Sequence, residues 1–203
     1  MFEIELKAWV DDFAAVKQKI GTLAEFTADF EKEDVYWFPP PRPETGGLAP
    51  LPDVRVRKET FKPKAKETET FILVTYKIKE IRAGIEVNDE KEFVISAPPD
   101  AESGVYPAGF EELLSRLGFS PKISKKKQGS VWKYGGEAVS IELSSVDKLG
   151  NFVELEIMAA DNEAKTVNAA RERLFSLLKL IGISEEKIEK RYYSDMLSSG
   201  VRQ

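Results

Sequence analysis

An alternation of apolar and charged side chains opens this chain, over residues 1–7 (MFEIELK). Successive side chains of a β-strand point to opposite faces of the sheet. Phe2, Ile4 and Leu6 therefore share one face, and Glu3, Glu5 and Lys7 share the other. One such strand alone is also typical of a solvated sheet edge. The constraint on the fold comes from the recurrence of the pattern along the chain.

The same alternation returns in four later segments, residues 53–57, 71–79, 139–143 and 152–157. Each segment has an apolar face and a charged face, and the sign of the charge differs between segments. The side chains on the charged faces are Arg55 and Arg57, then Thr75, Lys77 and Lys79, then Glu142, and finally Glu154 and Glu156. If all of these faces met bulk water, positive and negative side chains would not need to lie on different strands. The separation predicts an α+β fold in which eight antiparallel strands form a barrel-like tunnel with a charged lumen and flanking helices.

A lumen that holds cations beside carboxylates indicates an ionic ligand. Buried charges are costly unless they are paired or bind ions. Arginine and lysine side chains bind phosphate groups, and carboxylates hold hard cations such as Mg²⁺ that bridge phosphate oxygens. The alternating strands therefore predict a tunnel for a polyphosphate and a divalent metal ion.

Composition narrows the class of protein. The 203 residues suit one domain, 1–203, and a content of 42% hydrophobic and 32% charged residues is typical of a globular chain. A formal net charge of −5 argues against a nucleic-acid-binding or membrane-binding surface. The chain has neither cysteine nor histidine, so a metal ion would need oxygen ligands, which favours Mg²⁺ or Mn²⁺. No apolar run reaches the roughly 20 residues of a membrane span and no signal peptide precedes the first strand, so we expect a cytoplasmic protein.

Helical spacing and turn residues place the remaining elements. A helix capped by Asp11 or Asp12 is expected after the first strand, followed by a second strand over residues 26–38. Residues 39–52 are proline-rich and predict a loop, either a variable surface excursion or a lid over a tunnel mouth. Further helices are expected over residues 109–117 and, at the C-terminus (162–198), over 162–181 and 184–197.

Three charged segments are ambiguous. A strand over residues 85–95 has one polar face that suits either the lumen or the solvent, formed by Glu86, Asn88, Glu90 and Glu92. Residues 125–127 are three lysines, which are usually a surface feature, although Lys125 and Lys127 share one face of a predicted strand over 123–134. The predicted loop 61–69 carries lysines that either attract anions or are simply solvated.

Taken in order, these segments resemble the CYTH, or triphosphate tunnel metalloenzyme, superfamily. The resemblance rests on the opening Glu-x-Glu-x-Lys, the Arg-x-Arg and Thr-x-Lys strands and the late Glu-x-Glu. Residues 33–38, 146–156 and 193–197 resemble the class IV adenylyl cyclase branch in particular. The resemblance implies an enzyme that acts on a triphosphate inside the tunnel with Mg²⁺ or Mn²⁺ as cofactor.

The resemblance also implies roles for individual residues. We expect the metal ligands to be Glu3, Glu5, Glu142, Glu154 and Glu156, with Glu142 ranked last because the family often has aspartate there. Five carboxylates exceed what one Mg²⁺ binds directly, so two ions or indirect roles are expected. We expect catalytic roles for Lys7 and Lys77, and phosphate binding by Arg55, Arg57, Lys79, Lys125 and Lys127. Lys127 stands where arginine is common, and lysine lacks the bidentate geometry of arginine.

The reaction stays open between two classes of enzyme and one binding function. A cyclase would use the ribose 3′-hydroxyl of ATP to form cyclic AMP and pyrophosphate. A triphosphatase would use water, on thiamine triphosphate, inorganic triphosphate or a nucleoside triphosphate. A polyphosphate-binding module without turnover is the third alternative, and the acidic pairs disfavour it because simple anion binding would not need them. The expected partner is a small-molecule triphosphate, and a homodimer is left open.

Overall fold

The computed structural model describes residues 1–41, 52–95, 106–136 and 138–199. It confirms the predicted α+β fold. The strands are β1 (Phe2–Trp9), β2 (Glu25–Phe38), β3 (Val54–Pro63), β4 (Glu69–Arg82), β5 (Ile85–Val94), β6 (Ser120–Tyr134), β7 (Val139–Val146) and β8 (Gly150–Ala159). The helices are α1 (Phe13–Leu23), α2 (Tyr106–Arg116), α3 (Ala164–Leu180) and α4 (Tyr193–Ser198), with a 3₁₀ turn at Glu185–Lys187.

The eight strands close into a barrel in the order β1-β5-β4-β3-β2-β6-β7-β8, with antiparallel pairing throughout. The first strand lies between β5 and β8, and this placement closes the sheet. Its register puts Glu5 directly opposite Glu86 in β5 and Glu156 in β8. Strand pairing thus sets three carboxylates side by side across three strands.

The apolar faces of the strands point outward and are covered by helices. Ile4 and Leu6 of β1 are fully buried in the main core, together with Leu174 and Leu177 of α3. These two leucines are three residues apart and lie on the same side of the helix, which is the side that meets the barrel. Burial of each such side chain stabilises the fold by about 1.5–3 kcal/mol. Because the hydrophobic core lies outside the barrel, the charged faces are left to form the lumen.

A second apolar cluster lies under α2 on the other side of the barrel. Leu114 of α2 packs there with Trp37, Val56 and Val74 from β2, β3 and β4. The helix begins at Tyr106, earlier than the predicted residue 109. A proline is compatible with this start, because backbone N–H groups in the first turn of a helix have no partner within the helix and proline lacks that group. α1 begins at the predicted cap, where the Asp12 carboxylate accepts a hydrogen bond from the amide of Ala15.

The predicted continuous helix over residues 184–197 is wrong. The structure instead has the 3₁₀ turn, an extended stretch and the short helix α4. In the extended stretch Ile188 forms a β-bridge with Ala8, and the amide of Glu189 donates to the carbonyl of Lys7 over 2.8 Å. Pairing with β1 therefore overrides local helix propensity in this segment, called here the C-terminal strap (residues 184–198).

Two further predictions concern loops. The predicted loop over residues 61–69 is shorter than expected because β3 continues to Pro63, which puts Lys62 on the outer face of that strand rather than in a loop. Most of the proline-rich loop 39–52 lies outside the described residues, and its role as excursion or lid stays a prediction. Of the described helices, none combines the length and apolarity that a membrane crossing requires.

Candidate active site

The charged faces of the strands converge on one internal cavity of about 480 Å³. Ten acidic and eight cationic side chains line it within the described part of the chain. All of the residues predicted as site residues are among them: Glu3, Glu5, Lys7, Arg55, Arg57, Lys77, Lys79, Lys125, Lys127, Glu142, Glu154 and Glu156. Strand alternation thus brings predicted residues from several strands into one space.

The wall of the cavity divides into two contiguous halves. The cationic half consists of β4, β3, β2 and β6, which are consecutive neighbours in the barrel. Its lining cations are Lys77, Lys79, Arg55, Arg57, Lys32, Lys125 and Lys127. The acidic half consists of β7, β8, β1 and β5, and its lining carboxylates are Glu142, Glu154, Glu156, Glu3, Glu5, Glu86, Glu90 and Glu92. Lys7 is the exception within the acidic half, and Glu59, Asp34 and Asp53 are exceptions in or beside the cationic half.

A row of like charges crosses the middle of the acidic half. Glu5 lies between Glu86 and Glu156 in the strand register. Among the described residues, Glu86 reaches the ammonium of Lys7 at 2.9 Å, but neither Glu5 nor Glu156 has a lysine or arginine nitrogen within 4 Å. Burial, then Glu86 and Glu154, raise the pKa of Glu5 well above its ordinary value. Burial and Glu3 raise the pKa of Glu156 to about 7.

The other carboxylates of the acidic half are paired with lysine or arginine side chains. Lys77 lies 2.5 Å from both Glu3 and Glu90. Lys127 forms ion pairs with Glu142 and Glu154. Burial alone would raise the pKa of Glu154, but Lys127 holds it well below its ordinary value. These pairs join the two halves of the wall, because both lysines come from the cationic half.

Cations in the cationic half share a buried carboxylate. Asp34 is 1% exposed and accepts two hydrogen bonds from Arg57, at 2.7 and 3.0 Å, while the Lys125 ammonium lies 3.1 Å away. Burial would raise the pKa of Asp34, but Arg57 and Lys125 hold it well below the ordinary value. Arg55 is oriented separately, by Thr75 at 3.0 Å and Glu90 at 3.2 Å. This half therefore presents cations in fixed positions.

Comparison with known proteins assigns this arrangement to a family. A family model described as the CYTH domain matches residues 1–193. The chain belongs to the CYTH domain family. Enzymes of this family process triphosphates, as cyclases or as triphosphatases, and depend in general on divalent metal ions.

Individual relatives and solved structures match this chain over nearly its whole length. A Methanocaldococcus jannaschii protein named as a candidate adenylate cyclase is 25% identical over 197 residues, covering 97% of this chain and 98% of its own. A solved Pyrococcus horikoshii structure superposes with a TM-score of 0.74 at 26% identity and covers 97% of this chain and 98% of the other. A Hippeastrum protein, named as a candidate adenylyl cyclase with a dominant triphosphatase activity, shares the fold with a TM-score of 0.59 at 15% identity, over 100% of this chain and 97% of its own.

The lumen of this CYTH chain fits a divalent metal ion. Its ligands would all be oxygens, which suit Mg²⁺ and Mn²⁺. Within the described ranges no three acidic side chains converge tightly enough to form a cage. Glu5 and Glu156, which face each other without a cation beside them, are the pair best placed to hold the ion. One or two carboxylates completed by substrate phosphates is the usual arrangement for Mg²⁺.

Several lumen residues were missed by the sequence reasoning. The inward faces of β2 and β5 were not assigned, so Lys32, Asp34 and Tyr36 were overlooked and Glu86, Asn88, Glu90 and Glu92 were left ambiguous. The alternation in residues 32–36 was the signal that could have placed the β2 residues. Tyr192, Tyr193 and Ser194 also line the cavity, and no local pattern indicates this because the C-terminal strap brings them there.

Proposed function

We propose that this protein is a divalent-metal-dependent enzyme that cleaves a triphosphate substrate inside its tunnel. The observation that carries the proposal is the division of one lumen into a cationic half and an acidic half. The cationic half can bind a polyanion, and the acidic half can bind a metal ion. A site for a simple anion would have no use for unpaired carboxylates such as Glu5 and Glu156, which oppose anion binding unless a cation neutralises them.

The cationic half would bind the phosphates. Arg57 and Lys125, fixed by Asp34, and Arg55, fixed by Thr75, point their charges into the cavity. Preorganised charges in a site that excludes water stabilise a transition state without reorganising during the reaction. Lys79 and Lys127 would add contacts to the same polyphosphate.

The acidic half would hold the metal ion. Glu5 and Glu156 are the proposed direct ligands, and Glu3, Glu142 and Glu154 would support them through hydrogen bonds or a second ion. The bound ion would neutralise phosphate charge and acidify the attacking hydroxyl or water.

Lys7 and Lys77 are the proposed catalytic residues because each lies among carboxylates next to the proposed metal site. Lys77 is held between Glu3 and Glu90, and Lys7 is held by Glu86. Burial would lower the pKa of either lysine, but the carboxylates raise it above the ordinary value, so both stay charged at neutral pH. A fixed ammonium at these positions would stabilise negative charge that develops on the leaving phosphate.

The specific reaction we propose is class IV adenylyl cyclase-like, from ATP to cyclic AMP and pyrophosphate. The name of the Methanocaldococcus relative, an adenylate cyclase candidate, supports this reaction. The alignment with that relative covers 97% of this chain. Hydrolysis of a triphosphate is the second candidate. The lining of the cavity favours hydrolysis. In the described residues most of the lining side chains are charged, and the larger apolar surfaces are those of Met158 and three tyrosines. Such a wall recognises the triphosphate more than a base or a sugar.

The experiment that tests the proposal measures turnover of ATP, thiamine triphosphate and tripolyphosphate with Mg²⁺ or Mn²⁺. Cyclic AMP and pyrophosphate from ATP, identified by mass spectrometry, would support the cyclase. Orthophosphate with ADP, or with pyrophosphate from tripolyphosphate, would support the triphosphatase. Full activity in excess chelator would contradict the metal requirement. Binding of tripolyphosphate without turnover of any substrate would instead indicate a polyphosphate-binding module.

A further inference from the structure

The ring of Tyr193, the first residue of α4, is buried among the lysines of the tunnel. The ammonium nitrogens of Lys125, Lys7 and Lys127 lie over this ring, at 4.5, 4.6 and 5.4 Å from its centroid. Tyr193 is only 7% exposed. A cation within about 6 Å of a ring centroid is attracted by the negative face of the π system, and the attraction strengthens where water is excluded.

These three lysines do not share any other ring among the described residues. Lys7 comes from β1 and the other two from β6, and the barrel places β7 and β8 between those strands. Tyr36 lies 5.8 Å from Lys125, and Phe30 lies 6.0 Å from Lys127. Among the described residues, Tyr193 is therefore the aromatic ring that all three ammonium groups contact.

The three lysines form their ion pairs with carboxylates on different strands. Glu86 in β5 binds Lys7 at 2.9 Å, and Asp34 in β2 binds Lys125 at 3.1 Å. The partners of Lys127 lie in β7 and β8. Ammonium groups gathered around one ring repel one another. The Glu154 carboxylate, whose pKa all three lysines lower, attracts each of them, and the Tyr193 ring adds a second attraction common to all three.

Other contacts fix the ring of Tyr193 relative to β1. The ring meets Phe152 edge to face, with centroids 5.1 Å apart and an interplanar angle of 89°. Phe152 in turn packs against Trp9 at 4.2 Å, and the Trp9 indole donates to Glu189 at 3.1 Å. Because the amide of Glu189 also donates to the carbonyl of Lys7, the C-terminal strap is anchored to the strand that carries one of the lysines.

We propose that Tyr193 is a positioning residue that holds Lys7, Lys125 and Lys127 together as one phosphate-binding group. The nature of the ligand rests on the proposed function, whereas the positioning itself does not. The active site thereby includes the C-terminal strap, because the strap supplies the ring that all three lysines contact.

Two substitutions separate the ring from the hydroxyl. Tyr193→Phe removes the hydroxyl and keeps the ring. Tyr193→Leu removes the ring and keeps an apolar side chain against Phe152. Phe175→Leu is the matched control, because it removes a ring that lies 4.2 Å under Arg171 on α3, outside the tunnel.

Two measurements report on each variant. Carbon-13 relaxation of the lysine Cε groups measures how rigidly each of these side chains is held. Calorimetry with tripolyphosphate and Mg²⁺ gives the affinity. We expect Tyr193→Phe to keep the three lysines rigid and to keep an affinity within about threefold of the unsubstituted protein. We expect Tyr193→Leu to make the three lysines more mobile and to bind about tenfold or more weakly. Phe175→Leu should change neither quantity.

Either of two results would overturn the proposal. One is a Tyr193→Leu variant in which the three lysines stay as rigid as in the unsubstituted protein and the affinity is kept. The other is a Tyr193→Phe variant that loses as much affinity as Tyr193→Leu, since the hydroxyl would then be the acting group. If Tyr193→Leu does not fold, nuclear Overhauser contacts between the ring and the three lysines in the unsubstituted protein decide, and their absence overturns the proposal. If the three lysines become mobile in Tyr193→Leu as expected, but the unsubstituted protein does not bind tripolyphosphate, the result would refute the proposed function and support the positioning role.

Discussion

The two halves of the tunnel wall bury charge in opposite ways. In the cationic half, Arg57 and Lys125 share the carboxylate of Asp34, and the pKa of Asp34 is held well below its ordinary value. In the acidic half, Glu5 lies between two other carboxylates, and the pKa values of Glu5 and Glu156 are raised. Each described cation of the lining has a carboxylate within 4 Å, whereas Glu5 and Glu156 have no lysine or arginine nitrogen within that distance. An added cation is therefore needed most at Glu5 and Glu156.

The two halves of the tunnel wall also suit different ligands. Fixed cations in the first half can bind a polyanion without rearranging. Carboxylates that face one another without a cation in the second half are costly for the protein alone, which is typical of side chains retained for function rather than stability.

The largest expected effect is the loss of activity in Glu5→Gln. The amide keeps the shape of the side chain but removes the charge proposed to hold the metal ion. We expect kcat/KM for the active triphosphate to fall by about 1,000-fold, the upper end of what the loss of one preorganised group costs. Glu33→Gln, on the exposed outer face of β2, is the matched control and should keep full activity. Unchanged activity in Glu5→Gln would remove this residue from the metal site.

Arg55→Ala tests the cationic half. Arg55 lies in the lumen with its side chain 13% exposed, where water exclusion strengthens contact with phosphate. We expect a loss of about 2–4 kcal/mol in transition-state stabilisation, measured as kcat/KM. Lys62→Ala is the control on the same strand: its side chain is 47% exposed and pairs with Glu31 on the outer surface. Equal and small effects at both positions would mean that the phosphates bind elsewhere, and circular dichroism would exclude misfolding.

Glu156→Gln should make the protein more stable at neutral pH while it impairs activity. The folded state raises the pKa of Glu156 to about 7, so it binds this proton more tightly than the unfolded chain does. Its contribution to the free energy of unfolding is therefore present at low pH and is lost as pH rises from about 4.5 to 7. In urea unfolding with a chelator present, we expect the variant to exceed the unsubstituted protein by about 1–3 kcal/mol at pH 8 and to match it more closely at pH 5. A variant less stable than the unsubstituted protein at pH 8 would contradict the unbalanced acidic half.

Lys79→Ala should have the smallest effect of the lumen substitutions. Its side chain is 25% exposed, lies 3.6 Å from Asp53 and sits over the ring of Tyr192. Solvent and salt screen such a charge, so we expect only about a fivefold rise in KM, shrinking as ionic strength increases. A loss as large as that of Arg55→Ala, and insensitive to salt, would place Lys79 deep in the phosphate site.

Strand alternation accounts for what could be predicted from the sequence. A period of two fixes which side chains share a face, so the amino-acid sequence alone was enough to assign Glu3, Arg55, Lys77 and Glu154 to one lumen. The same rule could not decide whether the polar face of residues 85–95 meets the lumen or the solvent, because that depends on closure against β1. In the barrel, Glu86 and Glu90 point inward.

The contributions of the C-terminal strap could not be predicted from local patterns. Residues 184–197 carry helix signals, yet the backbone hydrogen bond from Glu189 to Lys7 and the β-bridge from Ile188 to Ala8 hold part of the segment extended. These contacts join residues about 180 positions apart in sequence, as does the Trp9–Glu189 hydrogen bond. These contacts place Tyr193 in the lumen. The pattern of residues around Tyr193 in the sequence does not predict this position.

Paramagnetic broadening by Mn²⁺ tests the central claim most directly. In protein with ¹³C-labelled glutamate, Mn²⁺ is added in the presence of tripolyphosphate and the carboxyl signals are followed. We predict that Glu5 and Glu156 broaden first, while the signals of exposed residues such as Glu33 and Glu185 broaden only at higher metal concentration. Glu5 and Glu156 signals that broaden no earlier than those of Glu33 and Glu185 would contradict a metal site in the acidic half of the tunnel.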